Sequence, residues 1–581
     1  MNLKSLLACL LCTLTTSLYA APVGLWHGVR VADTGEPVDI VISRDEFAKL
    51  TTAKQQGLNG GYSYVSLPSG HAFVGKATDT QSLSGFFIQA ANSIGGQSMA
   101  MPVVLNARAD DWVGTALPQR RQFDIYIGIA DTDDGALATV YNPQRNITGP
   151  SRRYNVIEVA RDQYELRAAG ANQPFGSLRY DPESQTFSLN FGPLQGLALR
   201  KLDPKSQLAI SYLGQSPYRR ANLPGSIEGW TTASASSQGF DSKQLDALVS
   251  RLASEGANAE SPNFLHSLLV AHEGNLVVES YFRGYDRDTP HDVRSAGKTF
   301  AAVLTGALIQ AGHEITEQTP ISQHIAVPAE QADQRITFGD LLTHRSGLDC
   351  DDADGQSPGN ENRMWQQQET PNLWEFIAGL DVIRAPGEIY AYCSGGINLA
   401  GAILASASSQ PVLVSMYQHV LEPLGFKHAY WNVMQTGEAY LGGGAYLRPI
   451  DMLKIGQLYL DGGRWQGSQL LDAEWVATSL QPKIEITPET TGRDQAQFDR
   501  SYFGGTDGLA WHLHDIVTED RRYASYEASG NGGQMIIVVP ELSLTVVMTG
   551  GNYGQGSVWG KWRQSVIGEG LIPALTSSAR P

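Results

Sequence analysis

Apolar and polar residues alternate along FDIYIGI (123–129), which places Phe123, Ile125, Ile127 and Ile129 on one side of an extended chain. TFSLNF (186–191) repeats the pattern with Phe187, Leu189 and Phe191. The turn signals DTDDG (131–135) and DPES (181–184) punctuate these runs and predict an antiparallel meander from about 120 to 202. VDIVI (38–42) and MPVVL (101–105) predict further strands in the Gly-rich part before it. Residues 21–215 therefore read as one all-β domain, a sandwich or lipocalin-like barrel. Its Asp131–Gly135 loop misses the spacing of a calcium loop.

Beyond residue 240 the period changes. DSKQLDALVSRLASEG (241–256) has the spacing of an amphipathic helix with an Asp cap. FLHSLLVAHEGNLVVESYFRG (264–284) predicts two strands about a His-Glu-Gly-Asn turn, and AGKTFAAVLTGALIQAG (296–312) a helix ending at Gly312. MIIVVPELSLTVVMTG (535–550) predicts two apolar strands about a Pro540–Ser543 turn. Helices between strands from both ends indicate an α/β or α+β domain over 239–572. The Pro-, Gly- and Ser-rich stretch at 216–238 reads as a linker, and 573–581 as a tail.

Composition adds bounds. The 581 residues are 42% hydrophobic and 17% charged, an ordinary globular balance on a chain too long for one core. The first twenty residues carry Lys4, an apolar run from Leu6 to Leu14 and a small-residue ending at Ala20. They read as a secretory signal cut between Ala20 and Ala21, the run being too short to span a bilayer. Lipid anchoring at Cys9 would leave almost no apolar stretch. The expectation is a secreted or periplasmic protein with no transmembrane segment after cleavage. Cys9 and Cys12 leave with the signal, so Cys350 and Cys393 remain, as one disulfide or as two separate thiols. The net charge is −17, with no Lys/Arg-rich block, which argues against nucleic acid and anionic membranes as partners.

The candidate chemistry starts at DVRSAGKTF (292–300), where Ser295 and Lys298 stand three apart. A serine hydroxyl needs a neighbour to take its proton and dipoles to receive an oxyanion. At the first turn of a helix Ser295 would meet the positive end of the macrodipole. Burial would lower the pKa of Lys298 and make it a base. PGEIYAYCSGGINLAG (386–401) then offers Tyr392 and Ser394, a relay phenol and a polar partner, or alternatively a core aromatic. SYEASGNGGQMIIVV (525–539) is a Gly-rich edge holding Ser529, Gly530 and Asn531, either a site for a substrate carbonyl or an ordinary bulge.

In this order the three elements resemble the serine β-lactamase/penicillin-binding-protein family. The resemblance is strongest to its class C-like branch, which includes esterases and D-alanyl peptidases. ITFGDLLTHRSGLD (336–349), the Pro386–Gly387 turn, GGGAYLRPIDMLKIGQLYLDGG (442–463) and GGQMIIVVPELSLTVVMTGG (532–551) support it. It covers 239–572 and not the preceding β domain. It implies an α+β fold, an antiparallel sheet flanked by helices with a helical lobe, and no metal or cofactor. Ser295 would be the acylated nucleophile, and Lys298 and Tyr392 would share the base and relay roles. Ser394 would orient substrate or Lys298, and the N–H groups of Ser295 and Asn531 would form the oxyanion hole.

One departure bears on the substrate. Where the family has Lys or His, then Thr or Ser, then Gly, this chain has Ala528-Ser529-Gly530. A substrate carboxylate would lose a charge-assisted partner of about 1.5–3 kcal/mol per hydrogen bond. The resemblance therefore implies an exported serine hydrolase of a small-molecule, peptide or ester substrate. A β-lactamase or D-alanyl peptidase is the alternative within the enzymes, and a non-catalytic binding or scaffold protein the alternative outside them. A Cys350–Cys393 bridge would staple the SGLD loop beside Tyr392. His344 reads as a structural hydrogen-bonding group, Asp349, Asp351, Asp352 and Asp354 as a polar rim, and Asp451 as a helix cap. Trp374, Trp431, Trp465 and Trp475 read as packing residues.

Overall fold

The computed structural model describes residues 22–576, apart from 51–60, 92–96, 143–151, 193, 204, 207–222, 224, 255–262, 329–334, 367–371, 502–503 and 520. The signal segment, the tail from 577 and much of the expected linker lie outside the described residues. The described residues fall into two compact units.

The first unit, residues 22–29, 124–141 and 152–203, is built around a closed antiparallel barrel. Around the barrel the strands are Gly24–Asp33, Leu194–Lys201, Thr186–Phe191, Gly176–Asp181, Gln163–Arg167, Arg152–Ala160, Gly135–Tyr141 and Arg121–Thr132. The apolar members of FDIYIGI and TFSLNF are buried, as their alternation requires. Trp26 packs edge-on against Phe187, ring centroids 4.6 Å apart. Between the two architectures expected for an all-β domain, the chain adopts the barrel, in which no strand edge is left open.

The second unit holds residues 30–123 as well as everything described from 205 onward. This division differs from a boundary near 215. Strand Met99–Arg108 hydrogen-bonds to Tyr430–Asn432, with Ala100 opposite Trp431. A nine-stranded sheet results, running His291–Asp292, Ala445–Leu447, Tyr430–Asn432, Met99–Arg108, Ser82–Gln89, Ala72–Ala77 and Ser63–Ser66. Val38–Ser43 joins it through Asp111–Ala116. The strands expected from VDIVI and MPVVL are thus present, and their pairing serves the second unit rather than the barrel.

The central sheet of this unit is ten-stranded. Its order is Ser226–Ile227, Trp230–Thr232, Asn275–Tyr281, Leu265–His272, Leu544–Gly550, Gln534–Val539, Arg522–Gly530, His512–Val517, Gly505–Asp507 and Ile484–Ile486. Leu269, Ala271, Ile536 and Val538 face one core with helices Thr299–Gln310, Ser394–Ser408 and Pro449–Leu460. Leu268, Val270, Ile537 and Val539 face another with helix Ser242–Ser254 and the segment Arg563–Leu571. Both faces are covered, so these strands read as continuous apolar runs.

Three local expectations are corrected. The helix expected from 296 begins at Thr299, and Arg294–Lys298 form a 3-10 turn before it. Part of the expected linker is structured: Ser226–Ile227 is the edge strand and Trp230–Thr232 the next one in, where the buried Trp230 ring packs edge-on against Trp465 at 5.2 Å. Asp451 does not cap its helix; it lies inside it, bonded to Arg448 at 2.8 Å and Lys454 at 2.9 Å. Among the described residues no single helix is long and apolar enough to cross a membrane.

Candidate active site

The 3-10 turn Arg294–Lys298 sits where two backbones close on it. Strand His291–Asp292 leads into it, and Val293 N–H donates to the Ala445 carbonyl at 3.0 Å. A Cβ on Gly530 would lie 2.2 Å from the Val293 carbonyl oxygen, and one on Gly443 would lie 3.2 Å from that of Arg294. Only glycine permits the first approach, and at Gly443 the φ of +143° adds strain for any side chain. Arg294, the residue before the serine, has φ +51°, a left-handed conformation of the kind held at functional sites by surrounding packing.

Lys298 is 5% exposed. Its Nζ donates to Ser295 Oγ at 3.1 Å and to the Gly442 carbonyl at 2.5 Å, and lies 5.0 Å from the centroid of the Tyr392 ring. Burial acts to lower its pKa, but Tyr392, Glu361 and Asp352 outweigh burial and raise it above the ordinary lysine value. The lowering expected from burial is thus opposed by these partners, which favour the charged form of the lysine.

Tyr392 and Ser394 flank Cys393, the residue that caps helix Ser394–Ser408. The His344 ring lies 4.5 Å from that of Tyr392, and His344 Nδ1 accepts the Cys393 N–H at 3.1 Å. Burial pushes His344 down to about 3, so it is a neutral acceptor, in the structural role read for it. Ser394 is fully buried and turned away from solvent. Its Oγ donates to Asp352 Oδ2 at 2.6 Å and its N–H to the same atom at 2.9 Å. Cys350 and Cys393 are joined by a disulfide, Cα atoms 5.4 Å apart, so the loop after Leu348 is stapled to the residue beside Tyr392.

The acidic run has mixed roles. Asp349 accepts from Ser357 Oγ at 2.9 Å, Asp351 pairs with Arg493 at 2.6 Å and Asp354 caps a turn at Gln356. Asp352 is part of the site. Besides Ser394 it takes the Glu361 N–H at 2.7 Å, and its own N–H donates to the Tyr392 carbonyl at 2.8 Å. Glu361 Oε1 accepts from Tyr440 Oη at 2.9 Å.

On the strand Arg522–Gly530, Ala528 is buried in the apolar core and Ser529 is half-buried. Asn531 is exposed, and its Oδ1 accepts the Gly554 N–H at 2.7 Å. Gly530, against Val293 and Ala296, brings this strand end to the nucleophile turn. Ser295, Lys298, Tyr392 and Gly530 therefore converge. Ser394 lies just behind them, occupied with Asp352. Among the described residues no group of three His, Cys, Asp or Glu is arranged to hold a metal ion.

Sequence reading passed over Glu361, Tyr440 and Arg294. Gly442 alone had a signal, the glycine triplet opening GGGAYLRP. Glu361 lies in no motif, and what brings it here is the loop stapled by Cys350.

Residues 265–556, half of the chain, match the family model described as Beta-lactamase. The 6-aminohexanoate-dimer hydrolase of Paenarthrobacter ureafaciens is 23% identical over 297 residues, covering 48% of this chain and 75% of that protein. Among solved structures, the penicillin binding protein from Bacillus halodurans aligns at 15% identity and TM-score 0.41, over 57% of this chain and 99% of its own. A family VIII carboxylesterase aligns at 15% identity and TM-score 0.43, over 58% and 98%. With its motifs in the family's order and the match spanning half its length, the chain belongs to the beta-lactamase family.

Proposed function

We propose that this hydrolase of the beta-lactamase family is a serine hydrolase, cleaving an ester or amide through an acyl-serine. The observation that carries this reading is the Lys298 Nζ to Ser295 Oγ hydrogen bond at 3.1 Å, made by a buried lysine beside the Tyr392 ring. Lys298 and Tyr392 act as one proton-sharing pair, and that pair takes the Ser295 proton. Ser295 Oγ attacks the substrate carbonyl carbon, and its proton passes to the Lys298–Tyr392 pair and from it to the leaving alcohol or amine. Water then attacks the acyl-serine carbonyl and gives its proton to the same pair, which returns it to Ser295 Oγ as the C–Oγ bond breaks and the acid leaves. The N–H groups of Ser295 and Asn531 receive the oxyanion.

The buried, uncharged Ala528 favours substrates without a carboxylate at that edge, hence an ester or amide over a β-lactam or D-alanyl peptide. We also propose export through cleavage after Ala20, for which the Cys350–Cys393 disulfide is the supporting feature. The test is the intact mass of the protein after a fluorophosphonate probe, with Ser295→Ala alongside. One adduct on the wild type, absent in the variant, is the expected result. No adduct on folded wild-type protein would transfer the weight to a non-catalytic binding protein.

A further inference from the structure

Two carboxylates, Asp352 and Glu361, lie behind the candidate nucleophile, and the reaction written above uses neither. Asp352 is tied to Ser394 twice and to the Glu361 N–H. The half-buried Glu361 side chain has a different set of connections. It accepts from Tyr440 Oη at 2.9 Å, and the end of the Tyr440 ring lies against Gly442, where a Cβ would stand 2.6 Å from Cζ and Oη. Gly442 in turn offers the carbonyl that takes Lys298 Nζ at 2.5 Å. A continuous path thus runs Glu361, Tyr440, Gly442, Lys298, Ser295. The charged and titratable groups facing Glu361 are Lys298, Asp352, Tyr440 and Arg294. Those facing Lys298 are Tyr392, Glu361, Asp352 and His344.

We propose that Glu361 is a positioning residue for the nucleophile: through Tyr440 and Gly442 it fixes the carbonyl on which Lys298 docks, and its carboxylate is the counter-charge that holds the Lys298 ammonium against Ser295. The proposal rests on the reading of Ser295 as nucleophile. Three features favour an electrostatic role over a purely structural one. Burial pushes the Glu361 carboxyl above its ordinary range, and Lys298, the Tyr440 hydroxyl and Arg294 act against that burial in favour of its ionised form. Lys298 has no carboxylate hydrogen-bonded directly to it among the described residues, so its counter-charge comes from the second layer. The path also ends at glycine, so no side chain stands between the Tyr440 ring and the carbonyl that Lys298 grips.

The test reads Lys298 itself. Protein labelled with ε-13C lysine is titrated by NMR, Lys298→Arg identifying its signal, in wild type, Glu361→Gln and Tyr440→Phe. Fluorophosphonate labelling rates of Ser295 are measured on the same samples, and thermal melts establish that each variant is folded. The expected result is a Lys298 midpoint lower by about one pH unit in Glu361→Gln, the size of a lost opposite charge nearby. A smaller fall is expected in Tyr440→Phe, which keeps the charge but frees the carboxylate, with slower labelling in both. An unmoved midpoint in folded Glu361→Gln overturns the proposal, whatever the labelling rate. A moved midpoint in a protein whose Ser295 takes no probe supports the hold of Glu361 on Lys298 and sinks the nucleophile reading instead.

Discussion

The backbone N–H of Cys393 donates to Nδ1 of His344 at 3.1 Å, so the imidazole that covers the Tyr392 ring also grips the peptide beside it. Ring orientation and backbone position at Tyr392 are therefore set by one side chain. His344→Ala leaves the Cys393 N–H buried without an acceptor, at a cost of about 1–3 kcal/mol. The expected outcome is a lower melting temperature and labelling of Ser295 slowed about tenfold, the range of a misplaced proton acceptor. Parallel melts and labelling time courses check it; unchanged labelling in the destabilised variant would confine His344 to packing.

Stability should peak near pH 6.5. Burial holds His291 and His344 down to about 3 and His514 to about 4 in the folded protein. The unfolded chain takes up these protons from its ordinary histidine range, so stability is lost as pH falls below about 6.5, by up to about 1.4 kcal/mol per unit for each group. Glu438 has the opposite sign: burial pushes it up to about 8, and its contribution is lost as pH rises from 4.5 towards that value. Melting temperatures from about pH 4 to 9 should show both limbs. Glu438→Gln should flatten the alkaline limb and steepen the acid limb above about pH 4.5.

The Cys350–Cys393 disulfide closes a loop with a sequence separation of 43. Its reduction should cost about 2–4 kcal/mol. Because Cys393 lies next to Tyr392, reduction should also slow Ser295 labelling before global unfolding begins. Thiol counting on protein lacking residues 1–20, and so Cys9 and Cys12, checks the bridge: two reactive thiols in that unreduced, denatured protein would contradict it.

Gly530 has an ordinary backbone conformation, yet a Cβ there would meet the Val293 carbonyl oxygen at 2.2 Å. Gly530→Ala must push the strand end away from the nucleophile turn, at a cost of about 1–3 kcal/mol. Labelling of Ser295 should fall further than stability does, since the displaced edge carries the Asn531 N–H. Equal labelling by Gly530→Ala and wild type would remove that edge from the site.

The barrel strands were legible because each shows one face to the barrel interior, and alternation survives in Phe123 to Ile129 and Phe187 to Phe191. Leu265–His272 was legible for the opposite reason, as an unbroken apolar run between two cores. The partner of Met99–Arg108 was not legible: Tyr430–Asn432 lies more than three hundred residues away, and no local period encodes that choice. At the site, Ser-x-x-Lys spacing gave Ser295 and Lys298 but could not tell a helix face from a 3-10 turn. The protonation of Lys298 could not be read at all, because Glu361, Asp352 and Tyr392 reach it from other segments.

The pairing of Ala100 with Trp431 also governs the order in which the molecule can assemble. The hairpins between residues 63 and 116 have local partners and can close early. Their remaining edge must then wait for Tyr430–Asn432 and Ala445–Leu447, and only with those strands is His291–Asp292, the lead into Ser295, brought into the sheet. Closing so long a loop is slow, and an unpaired edge is a template for strands of other chains. Refolding yield should therefore decline with protein concentration even where the barrel recovers quickly, and reactivity at Ser295 should be the last property to return.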